Sequence, residues 1–152
     1  MGFHMNEVMT GQHEFEPGLG PAGKRPMEFR VRWGTDRLTG WANPFGGDFM
    51  VNELRGTVTI DGLCAAAPCQ GSLALRYLQD QTVRYTFEFE VDGVPYRFVG
   101  EKVWLRPWNL PWSHTTCFGR LVRADTGALV STSVTHFRFR TVPAFLASFR
   151  AA

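Results

Sequence analysis

The sequence holds no run approaching the ~20 apolar residues that a membrane-spanning helix needs, which excludes a helical span. Its start, MGFHMNEVMT, has neither the basic opening nor the apolar stretch of a secretory signal, so a cytoplasmic location is expected. Cysteine is sparse, at positions 64, 69 and 117, with no CxxC or His/Cys spacing, so no structural zinc site and no metal are predicted. Cys64 and Cys69 flank Ala65-Ala66-Ala67-Pro68, a spacing that permits a local disulfide, but a reducing compartment favours two free thiols. Neither charge sign dominates. Sixteen Lys and Arg face fourteen Asp and Glu, a net charge of +2, so composition gives no reason to propose a nucleic-acid partner. No GxGxxG follows a strand, which excludes a resident dinucleotide or flavin domain, and no cofactor is predicted. Internal repeats and low-complexity tracts are absent.

What the chain has is aromatic residues and alternation. Thirteen Phe, five Trp and three Tyr stand among 152 residues, a length that suits one domain, residues 1–152, with a proper core. Aromatics at this density fit strand propensity and core filling, or the lining of a cavity for a flat or greasy ligand. The clearest segment runs from Thr82 to Trp104. Two alternating stretches flank Asp92-Gly93, a dipeptide suited to the type I′ turn of a two-residue hairpin. Placing Val91 opposite Val94 sets Phe89 against Tyr96, Phe87 against Phe98, Tyr85 against Gly100 and Val83 against Lys102. The other face then pairs Glu88 with Arg97 and Arg84 with Glu101. A one-residue slip would lose every pair, so the register is well specified.

Other strands follow from the same period of two. Glu7–Phe15 places Met9, Gly11, His13 and Phe15 in phase, and Met27–Trp33 turns Met27, Phe29, Val31 and Trp33 inward. Phe49–Ile60 carries Leu54, Val58 and Ile60 in one phase, with Gly56 marking a bulge or close approach. Ser72–Leu78 follows the Asp61-Gly62 turn and the small alanine loop. Thr115–Ala124 and Ala128–Arg140 form a second hairpin around Asp125-Thr126-Gly127, with Gly127 left-handed. Glu16–Pro26 is a loop, Gly34–Asp48 holds a short helical turn, and Pro143–Phe149 is a short C-terminal helix. The total is an all-β, antiparallel chain of about eight or nine strands. A lipocalin-like or calycin-like barrel is expected, because closure removes sheet edges; a two-sheet sandwich is the competitor.

Several residues are candidates for a site. Trp104, Trp108 and Trp112 recur in a proline-broken stretch, where they line a pocket mouth or plug a barrel end. Lys102 falls in the apolar phase, so it must pair with an acid, have its pKa lowered, or snorkel to the rim, and its place at a strand end favours snorkelling. His114 lies in the Trp-rich stretch and reads as a general base or as a loop residue bonded to backbone. His136 reads as a strand residue paired across the sheet, and a three-histidine metal site with His13 and His114 has no spacing to demand it. Cys117 is a nucleophile only if a histidine activates it, and a buried thiol is the plainer reading. The arginines at 30, 32, 84, 97, 138 and 140 form a solvated strand face rather than a polyanion surface. The ligand-binding set is therefore Trp33, Tyr85, Tyr96, Lys102, Trp104, Trp108, Trp112, His114 and His136.

Val83-Arg84-Tyr85-Thr86-Phe87-Glu88-Phe89, then Phe98-Val99-Gly100-Glu101-Lys102-Val103, then Trp112-Ser113-His114-Thr115-Thr116-Cys117-Phe118, and last Pro143-Ala144-Phe145-Leu146-Ala147-Ser148-Phe149-Arg150 follow a recognisable order. With Met9-Thr10-Gly11 near the start, the chain resembles a small β-rich domain found beside, or fused to, bacterial cholesterol-oxidase-like GMC flavoprotein oxidoreductases. The resemblance implies a companion domain for enzymes that act on apolar substrates, with a GMC-type oxidoreductase as partner. Three functions stay open: binding of an apolar small molecule such as a steroid, isoprenoid, acyl chain or polyketide; a cofactor-free cyclase or isomerase working on such a substrate by holding it in a reactive shape; and a structural interaction module. A homodimer is compatible with each.

Overall fold

The computed structural model describes residues 3–35, 51–76, 82–102, 116–137 and 150–151. They form nine strands: β1 (Phe3–Phe15), β2 (Lys24–Thr35), β3 (Val51–Ile60), β4 (Cys64–Arg76), β5 (Thr82–Val91), β6 (Val94–Lys102), β7 (Thr116–Arg123), β8 (Leu129–Phe137) and the two-residue β9 (Arg150–Ala151). Each of β1 to β8 pairs antiparallel with its sequence neighbour, and β1 also pairs with β8, through Met9↔Phe137 to Phe15↔Ser131. The result is a closed eight-stranded up-and-down barrel rather than a sandwich. β9 adds to the start of β1, opposite Phe3 and His4.

The hairpin of β5 and β6 has the register that its sequence dictates, from Val91↔Val94 through Phe87↔Phe98 to Val83↔Lys102. Asp92 and Gly93 both have positive φ, 51° and 81°, as a type I′ turn requires. On the outer face Arg84 meets Glu101 at 2.8 Å and Arg97 meets Glu88 at 2.8 Å. Gly127 is left-handed at φ 74°, closing the β7–β8 hairpin as expected.

Several boundaries differ from the sequence reading. β1 begins at Phe3, four residues earlier than the alternation showed. The loop after it ends at Gly23, so Lys24, Arg25 and Pro26 belong to β2. β4 begins at Cys64, so the expected loop of alanines is strand. Here β4 pairs with β3 alone; pairing with β5 starts only at Gln70. Pro68 therefore sits where no second ladder needs its missing N–H, the position a strand proline tolerates. A register shift between Val58 and Ile60, opposite a left-handed Ala66 (φ 49°), absorbs the extra residue as a bulge. The helical turn expected near Trp41 and the helix expected over Pro143–Phe149 lie outside the described residues, as do Phe139, Arg138 and Arg140.

The connectivity gives the barrel two unlike ends. At one, tight connections of two to eight residues join β1–β2, β3–β4, β5–β6 and β7–β8. At the other, residues 36–50, 77–81 and 103–115 join β2–β3, β4–β5 and β6–β7. We call them the turn end and the loop end. Between them the interior is filled. Met9, Phe29, Leu54, Leu73, Phe87 and Phe98 are all buried to 1% exposure or less. Phe87 stacks on Phe98 at 4.7 Å, and Phe29 packs on Phe87 and Phe98 at 5.5 and 5.6 Å. These aromatics are core, so no cavity runs the length of the barrel.

Candidate functional site

Amid this apolar interior, on the loop-end side of Phe29, stands a cluster of four polar side chains. Glu7 of β1 and Lys102, the last residue of β6, are 4% and 5% exposed. Lys102 Nζ donates to Glu7 Oε1 at 2.8 Å. The Tyr85 hydroxyl donates to both carboxylate oxygens, at 2.8 and 2.9 Å, and Trp33 Nε1–H donates to Oε2 at 3.0 Å. The ammonium also lies 5.2 Å from the centre of the Tyr85 ring.

Strand period positions all four. Glu7 shares the inward phase of Met9, Trp33 that of Phe29, Tyr85 that of Phe87, and Lys102 that of Phe98. Each stands two or four residues further toward the loop end than its apolar phase-mate. Barrel closure then brings together side chains 95 residues apart. Lys102 does not snorkel, contrary to what its place near a strand end favoured. A carboxylate inside the barrel pairs with it, and burying a lysine beside an acid costs less than burying it alone.

Cys117, fully buried, lies near this cluster. Burial pushes its thiol up to about 12, with Lys102 pulling the other way, so it holds no nucleophilic thiolate near neutral pH. All three cysteines are free, as a reducing compartment favours; burial pushes Cys69 to about 12 and raises Cys64.

A second buried polar group closes the turn end. His13 Nε2 bonds the Asp61 carbonyl at 2.8 Å, and Nδ1 meets Ser131 Oγ at 2.9 Å. A carbonyl only accepts, so Nε2 carries the proton and Nδ1 accepts from the serine hydroxyl. Burial lowers the His13 pKa. The ring also packs edge-on against Phe15, with centroids 4.8 Å apart. These contacts make His13 a plug.

The expected site residues are thus divided. Trp33, Tyr85 and Lys102 come together. Tyr96 faces the same interior but sits by the β5–β6 turn, stacked on Phe89 at 5.6 Å, at the opposite end from Lys102. His136 points outward, with Nδ1 3.1 Å from Thr116 Oγ1 across the sheet, beside a shallow outer groove that includes Phe118 and Val134. It cannot line the interior, where the His13 ring makes its hydrogen bonds. Trp104, Trp108, Trp112 and His114 lie outside the described residues, in the β6–β7 connection. Sequence reasoning missed Glu7. The signal was present, because an acid occupied the inward phase of Met9, His13 and Phe15.

No helix among the described residues is long and apolar enough to cross a membrane, and no group of three potential metal ligands occurs among them. Comparisons with protein-family models, with curated proteins and with solved structures found no match.

Proposed function

We propose that this lipocalin-like barrel binds an apolar small molecule, of the steroid, isoprenoid, acyl or polyketide class, at its loop end, with the Glu7–Lys102–Tyr85–Trp33 cluster as the polar floor of the site. The carrying observation is the cluster itself. A buried ion pair contributes little net stability compared with well-packed apolar residues, so a hydrogen-bonded tetrad built around one inside the barrel is better accounted for by a ligand than by folding. Ligand sites are mostly apolar with a few convergent polar groups, and barrel mouths are a common place for them. Stacked phenylalanines fill the interior on the turn-end side, so a ligand touching the tetrad would lie on its loop-end side. The resemblance to companion domains of GMC-type oxidoreductases supports an accessory role beside such an enzyme, in the cytoplasm.

The test is equilibrium titration with the neutral fluorophore 1-aminoanthracene. The expected result is saturable one-to-one binding at micromolar concentration, displaced by a sterol or an isoprenoid. Absence of saturable binding overturns the reading. A second reading, a cofactor-free isomerase or cyclase, draws on the same tetrad, because an ammonium and a phenol touching a carboxylate can move a proton. Turnover of a polyene or polyketide that survives Lys102→Met and Tyr85→Phe would exclude that chemistry.

A further inference from the structure

We infer that the site selects a ligand whose polar group is a neutral carbonyl oxygen, such as a ketone or aldehyde, over an alcohol or a carboxylate. This rests on the ligand-binding reading above and names the chemistry that the tetrad would recognise. Glu7 accepts from Lys102, from Tyr85 at both oxygens, and from Trp33. Its two oxygens are thereby engaged, and it has little left to offer a donor on a ligand. Lys102 is the reverse. An ammonium carries three N–H donors. Among the described residues one goes to Glu7, and the Tyr85 ring face takes a cation–π contact. Donor capacity therefore exceeds what acceptor capacity is left, so the cluster suits an incoming lone pair.

Charge narrows the choice. Glu7 and Lys102 neutralise each other in a buried place. A ligand carboxylate would bring a second negative charge beside Glu7 and leave the site with a net charge removed from water, which is costly. A hydroxyl can accept from Lys102, but its own proton then competes for the occupied oxygens of Glu7. A carbonyl accepts without donating and adds no charge. The apolar remainder of the ligand would extend toward the loop end, since the opposite side is closed by Phe29, Phe87 and Phe98.

The experiment uses the full chain and four probes of equal chain length: dodecane, 2-dodecanone, 1-dodecanol and dodecanoate, each displacing 1-aminoanthracene. The ketone is expected to bind roughly tenfold tighter than the alkane and the carboxylate, the gain of one hydrogen bond to a charged donor. In the double variant Glu7→Gln/Lys102→Met, which leaves no buried charge unpaired, the ratio of ketone to alkane affinity is expected to fall toward unity. Equal affinity for all four probes, a preference for dodecanoate, or a ketone preference that survives the double variant overturns the carbonyl assignment and leaves ligand binding standing. No binding of any probe or of the fluorophore overturns both.

Discussion

Glu7 and Lys102 hold each other in the barrel, and each is costly alone. Replacing Glu7 by Gln strands a buried ammonium, and a loss of about 3–5 kcal/mol is expected on urea unfolding. The double variant Glu7→Gln/Lys102→Met should recover most of that loss, because uncharged groups of similar size need no partner charge. If the single variant costs nothing, the pair is not buried as described. His13 gives a pH signature. Its pKa is lowered in the fold, so between the folded value and the ordinary 6.5 the unfolded chain binds more protons. Its contribution is therefore complete above about pH 6.5 and declines as the pH falls below it. Urea unfolding of the parent and of His13→Gln across pH 7.5 to 5 should show a shallower decline in the variant; parallel slopes would contradict the assignment. For the cysteines, a thiol reagent at pH 8 should leave Cys69 and Cys117 untouched in the folded protein, react slowly with Cys64, and titrate three thiols after denaturation. Fewer than three on unfolding would mean a disulfide.

Among the elements, local pairing and barrel closure were legible and the stagger of the barrel was not. The β5–β6 register could be read from sequence because a two-residue turn fixes it, and its partners lie within about twenty residues. The inward phase of Lys102 was equally readable. Its partner was not, since which inward residue of β1 meets the end of β6 depends on the stagger of the whole barrel. That is why Trp33, Tyr85 and Lys102 were named without Glu7, and why Tyr96 was grouped with residues at the far end. Glycine shows the same division. Gly56 read as a close approach, and in the fold a Cβ there would fall against the Arg30 carbonyl and within 2.8 Å of Val31 Cα on β2. Backbone cannot yield as a flexible side chain does, so Gly56→Ala should destabilise by about 1–3 kcal/mol on urea unfolding. At the hairpin tip nothing lies within 4 Å of a Cβ on Gly93, and Gly93→Ala should cost about 1–2 kcal/mol from its left-handed backbone alone. A neutral Gly56→Ala would argue against the tight β2–β3 crossing.

At the scale of the molecule, the division of labour runs along the barrel axis. The turn end is closed by His13 and Phe15, the middle by stacked phenylalanines, and the polar tetrad stands toward the end where residues 36–50, 77–81 and 103–115 join the strands. Closure depends on β1 pairing with both β2 and β8, so β1, which carries Glu7 and His13, joins the site to the seam. The central claim is that this end receives an apolar ligand against the tetrad. The most direct measurement is a backbone amide NMR titration of the protein with 2-dodecanone. The account predicts saturable shifts concentrated at Glu7, Trp33, Tyr85 and Lys102, with Gly62, Gly93 and Gly127 at the turn end unmoved. Shifts centred on Phe118 and Val134 of the outer wall, or no saturable shifts, would contradict it.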